Sequence, residues 1–226
     1  MVLPEILLSQ RVDEAAALVS EYYTKLYRND LPQTGSRFDD WAGGGDKKDV
    51  AHEITADDLL AVSFLSVQVT ARAAIGLLEA RANEVSQLLK QIPTDLDLAA
   101  VPAHEYAKVL GPQSPANQLW RLLRGSDTYR WGIGPTTASK IMARKRPRLI
   151  PIFDSVVGPL MGHRTCDGQW DTWHSVLTNG SGLPERLRLI REKAAIDHEI
   201  SDLRTMDVVL WMYGKNRITS LGKASG

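Results

Sequence analysis

Cysteine is nearly absent from this chain: Cys166 is the only one. That excludes an internal disulfide framework, a zinc site made of several thiolates and a four-cysteine iron–sulfur cluster. Long apolar runs are missing as well. None approaches the roughly 18 residues of a membrane span, so no membrane partner is expected. Residues 1–11 lack the basic start of a secretory leader, and a cytoplasmic location is the expectation. Net charge is also absent, with 27 Lys and Arg against 27 Asp and Glu. Taken as a total, that argues against a phosphate-rich partner, because phosphate binders carry an excess of cations.

The total hides a separation. Asp39, Asp40, Asp46, Asp49, Glu53, Asp57 and Asp58 make one stretch acidic, whereas Arg121, Arg124, Arg130, Lys140, Arg144, Lys145, Arg146 and Arg148 make a later one basic. A neutral chain of this kind can carry a basic face.

Periodicity indicates an all-α protein. In residues 4–27, Leu8, Val12, Ala16, Val19, Tyr23 and Tyr27 recur at three- and four-residue spacings, which predicts a long outer helix. Residues 29–53 read as a mobile loop without a packed core, on Pro32, Gly35 and the run Gly43-Gly44-Gly45. Thr55-Ala56-Asp57-Asp58 has the form of a capping box, in which Thr and Asp side chains satisfy the free amides of a new helix. That helix, residues 56–69, is apolar on most sides, which predicts a central position. Further helices are expected over residues 116–124, from 155 to 161 and over 184–213. The run Leu149 to Phe153 is the one strand-like ambiguity. The domain expectation is an N-terminal helix and acidic loop (1–54) followed by a helical domain (55–226), together one compact unit.

The segment Trp131-Gly132-Ile133-Gly134-Pro135-Thr136-Thr137-Ala138 places two glycines around an apolar residue immediately before helix-forming sequence. Such a turn exposes backbone amides at a helix N-terminus, where they and the helix dipole can hold a phosphate. It can equally be a plain connection between helices. Ile133 is expected to pack between the two helices. Arg144, Lys145 and Arg146 follow that helix and could meet a phosphate backbone, or form a solvated basic loop.

Here the sequence resembles the helix-hairpin-helix DNA glycosylase superfamily, whose hairpin matches Gly132, Ile133, Gly134, Thr137 and Ala138. Two more motifs match in order. Asp58 to Thr70, ending Leu65-Ser66-Val67-Gln68-Val69-Thr70, resembles the family's first barrel helix, and Asp154-Ser155-Val156-Val157 lies where that family keeps its catalytic carboxylate, about twenty residues past Gly134. Met206 to Lys215 loosely resembles its closing helix. The resemblance spans about residues 55–215 and implies a helix-hairpin-helix glycosylase-like bundle with an extra N-terminal helix. It implies duplex DNA as partner, held through Gly132, Ile133, Gly134, Thr136, Thr137, Lys140, Arg144, Lys145 and Arg146.

The implied chemistry is hydrolysis of an N-glycosidic bond to a modified or mismatched base, with Asp154 stabilising positive charge on the sugar and orienting water. Gln68 is the expected wedge into the base stack, and Trp120, Trp131, Tyr129 and Phe153 are candidates for a base pocket, though each can be simple core. Asp154 can also be only a helix cap. A silent DNA-binding module is therefore the alternative function. The chain departs from the bifunctional members by carrying Thr136 where they have a Schiff-base lysine, so no lyase step is expected, and Gly125 to Arg130 lengthens the entry to the hairpin. His163, Cys166, Asp171 and His174 have ligand chemistry in an unfamiliar spacing, and neither a metal nor a cofactor is expected.

Overall fold

The computed structural model describes residues 3–27, 29–125 and 130–224, with side chains through Ser220. Eleven α-helices occur among these residues: α1 (Val12–Thr24), α2 (Ala56–Ser63), α3 (Ala71–Ile75), α4 (Ala82–Lys90), α5 (Tyr106–Leu110), α6 (Pro115–Arg124), α7 (Pro135–Lys145), α8 (Val157–Leu160), α9 (Gln169–Thr178), α10 (Leu183–Ala194) and α11 (Asp202–Ala224). No β-strand is found among them, so the fold is all-α. A lone bridge joins Leu26 to Pro32. No described helix is long and apolar enough to cross a membrane. The run Leu149 to Phe153 forms neither strand nor helix, although Leu149, Ile150 and Ile152 are buried.

Contacts divide the chain into two compact units, Met1–Gln33 with Phe153–Gly226, and Thr34–Ile152. This differs from the expected boundary after residue 54. The acidic segment goes with the second unit, and the N-terminal helix goes with the C-terminal third of the chain.

In the first unit α1 packs on α10 and α11, α8 on α11 and α9 on α10. Val12, Ala15, Ala16, Val19, Tyr22 and Tyr23 put one buried stripe along α1, and Asp13 and Glu14 sit in its first turn, where the helix dipole favours anions. The helix is shorter than expected, two 3₁₀ turns taking residues 5–11, and its buried stripe makes it a core element. Arg204 is buried on α11 and donates to Asp207 (2.6 Å) and to the Tyr22 hydroxyl (3.0 Å), so the charge is paired as burial requires. Gly214 brings bare backbone against α8, since a Cβ there would stand 2.5 Å from a Val156 methyl.

In the second unit α2 packs on α7, α4 on α6 and α6 on α7. α2 opens with the capping box expected for it: Thr55 Oγ1 accepts the Asp58 amide, and the Asp58 carboxylate accepts the Thr55 amide at 3.0 Å. It ends at Ser63, earlier than its apolar pattern suggests, because Ser66 takes a left-handed conformation (φ 60°). Between α3 and α4 lies one π-helical turn, Gly76–Ala80. α6 starts under the Ser114 hydroxyl, which accepts the Asn117 amide, with Pro115 in the first turn.

Candidate functional site

The candidate site is built on the turn before α7. Trp131 is its anchor. The indole is buried, its Nε1 donates to the Leu122 carbonyl (3.1 Å), and its ring occupies the bare flank of Gly76, where a Cβ would lie 1.9 Å from Cζ3. The Trp131 carbonyl accepts the Thr70 hydroxyl at 2.7 Å, and Thr70 Oγ1 also accepts the Ala73 amide as the cap of α3. One hydroxyl thus ties the start of α3 to the turn. This bond joins two segments that the sequence linked only by resemblance.

Gly132 follows at φ 81°, a conformation glycine adopts at little cost, and it is exposed. Ile133 is buried. Gly134 is the N-cap of α7, Pro135 begins the helix, and no side chain caps it. Thr136 and Thr137 contribute amides from the first turn, where α-helices have no internal acceptors. Gln68 is exposed on the segment leading to Thr70.

The other end of α7 corrects the sequence reading. Lys140, Arg144, Lys145 and Arg146 are all buried, none more than 3% exposed. Lys140 donates to the Leu65 carbonyl (2.7 Å). Arg144 donates to Asp58 Oδ1 (3.2 Å) and to the carbonyls of Phe38, Asp39 and Trp41. Lys145 reaches Asp58 Oδ2 (2.9 Å) and the Val50 carbonyl (2.8 Å). Arg146 donates to the carbonyls of Ile92, Ala51 and Leu89. These four side chains point into the second unit and present no surface to a phosphate. The reason is the packing of α2 on α7, which places Asp58 beside consecutive cations, and the largely irregular segment 38–51, whose carbonyls turn toward the end of α7 and accept from those cations.

The same bonds correct the reading of residues 29–53 as a mobile loop without a core. Phe38, Ser36, Gly44 and Gly45 are buried there, and Gly45 lies so close to α7 that a Cβ would stand 2.4 Å from the Arg144 carbonyl. Burial pushes the Lys145 ammonium pKa down, with Asp58 opposing the shift. It pushes Arg146 down in the same way, with Asp46 opposing.

The remaining candidates scatter. Trp131 is core and cannot line a base pocket. Trp120 is half-buried on α6 and borders a cleft. Tyr129 lies outside the described residues. Phe153 and Asp154 belong to the first unit, where the Phe153 ring packs near Gly158. Asp154 Oδ1 accepts the Val156 amide at 2.7 Å, and its carbonyl accepts the Gly158 amide at 2.8 Å, so the residue organises the turn into α8. Among the described residues no three His, Cys, Asp or Glu side chains come together as a metal site would require.

Residues 15–214 match a family of unknown function (DUF6308). The chain belongs to that family. No curated protein and no solved structure matches it. The match covers most of both units and includes the turn, α7 and Asp154.

Proposed function

We propose that this protein binds duplex DNA through the turn Gly132–Thr137, whose amides and helix dipole hold a backbone phosphate without reading base sequence. The supporting observation is the uncapped N-terminus of α7, presented by a turn anchored through Trp131 and Thr70. Arg130 precedes the anchor and Arg72 follows Thr70 by two residues, and both are exposed. They supply the cationic contacts that the buried Arg144–Arg146 run does not. The test is fluorescence anisotropy with a labelled duplex over a salt series. Affinity should fall steeply with salt, and Arg72→Ala with Arg130→Ala should weaken binding and lower the salt slope by about one for each phosphate no longer neutralised. No binding at low salt would overturn the proposal.

A second reading adds chemistry. Asp154 has its carboxylate oriented by the Val156 amide at the sequence position where the resemblance places a catalytic carboxylate for N-glycosidic hydrolysis. A panel of duplexes bearing modified or mismatched bases, scored for free-base release, tests it. Wild type should release one of them and Asp154→Asn should not, while still binding. Equal release by both proteins would remove Asp154 from the chemistry, and release by neither leaves the silent DNA-binding module as the function.

A further inference from the structure

The hairpin reading leaves one surface of the second unit unused. Between α4 and α6 lies an open cleft of about 750 Å³, within the range of small-ligand sites. From α6 it is bordered by Gln118, Trp120, Arg121 and Arg124, and from α4 by Glu84 and Gln87. The Arg124 guanidinium carbon stands 5.7 Å from the Trp120 ring centre, so the two form one aromatic and cationic surface. Arg121 is steadied by donating one N–H to the Pro112 carbonyl at 2.9 Å.

Among the described residues the charge in the cleft is unbalanced. The one carboxylate they place there, Glu84, is taken by Arg81 at 2.6 Å, whereas neither Arg121 nor Arg124 pairs with a carboxylate of theirs. Two exposed guanidiniums thus border the cleft beside a half-buried indole, without a carboxylate partner among the described residues. Gln87 adds an amide able to donate and accept at the edge of a planar ring, and Gln118, whose Nε2 donates to the Gln113 carbonyl at 3.0 Å, offers its amide oxygen.

We infer that this cleft binds a nucleotide, its base stacked on Trp120 and its phosphate held by Arg121 and Arg124. Stacking on an aromatic face tolerates every base, and guanidinium groups match phosphate geometry. The source is either a base of a single strand or a free nucleotide, since both present the same ring and phosphate. The inference uses none of the amides of the Gly132–Thr137 turn, so the two proposals fail independently.

The test uses the full chain at low salt with two probes, a labelled ten-residue oligothymidylate and AMP. Trp120→Ala should weaken binding about tenfold or more, Trp120→Phe should restore most of it, and the double variant Arg121→Ala/Arg124→Ala should weaken binding and flatten its salt dependence. Both arginines are exposed, so that variant reads the cleft even if a Trp120 substitution impairs folding. Tighter binding of the oligonucleotide per site than of AMP identifies a strand as the source, and equal affinity identifies a free nucleotide. Failure to bind either probe overturns the inference, as does binding unchanged in all three variants. Loss of duplex binding on changing Arg72 and Arg130, with oligothymidylate binding kept, would locate the two activities separately.

Discussion

The two ends of α7, a helix of eleven residues, are chemically opposite. The N-terminal end is built from backbone: two glycines, a proline and amides that no side chain caps, steadied by a buried indole. The C-terminal end is built from charge, Arg144, Lys145 and Arg146 in succession, all closed off from water. An ionised group loses several kcal/mol of solvation on burial, so it stays inside only where an anion and carbonyls replace its water. Asp58 and the carbonyls of segment 38–51 do that here, and the cations also lie at the negative end of the helix dipole. A basic run in a sequence is therefore no evidence of a basic surface.

That contrast can be broken most severely at Asp58. Asp58→Ala leaves Arg144 and Lys145 buried without their carboxylate and dismantles the cap of α2, so a loss of about 3–5 kcal/mol is expected in urea unfolding. A shift below about 1 kcal/mol would show that the carbonyls alone hold the cations. Next is the anchor of the other end. Gly76→Ala drives a methyl into the Trp131 ring and should cost about 1–3 kcal/mol, with near-ultraviolet dichroism reporting the displaced indole. Gly132→Ala has room for its methyl, the nearest atom being a Thr70 methyl at 3.5 Å. Its positive φ should still cost about 1 kcal/mol, seen as a small drop in the unfolding midpoint.

A pH series sharpens the C-terminal side. Because burial lowers the Lys145 pKa, the folded chain releases that proton before the unfolded chain does at its ordinary 10.5. Between those two values the unfolded state binds more protons, so this group's contribution to stability rises with pH. The rise is complete above 10.5 and absent below the folded pKa. Urea midpoints from about pH 7 up to the ordinary lysine value should show it in wild type relative to Lys145→Met, and parallel curves would contradict it. The smallest effect belongs to Arg148, whose paired bonds to Asp97 are exposed. Arg148→Ala should change stability by less than about 1 kcal/mol, in contrast to its buried neighbours.

Local features were readable in advance. The capping box at Thr55 depends on residues three apart, and the apolar spacing of residues 116–124 marked α6, though not the Ser114 cap that starts it. The turn at Gly132 is written in its glycines. The segment before residue 54 misled because its composition is that of a loop, while its order comes from Arg144, Lys145 and Arg146, about ninety residues or more away. The cleft beside Trp120 was half visible: the aromatic residue stood out, but the pairing of α4 with α6 that adds Glu84 and Gln87 has no local signature.

By itself the sequence determined an all-α chain, the capping box that starts α2 and the glycine turn that starts α7, each set by spacings of a few residues. Only the tertiary structure decided which charges face water. Exposure depends on what packs against a side chain from elsewhere in the chain, and the packing of α2 on α7 turned the most basic run in the sequence into the interior of a domain.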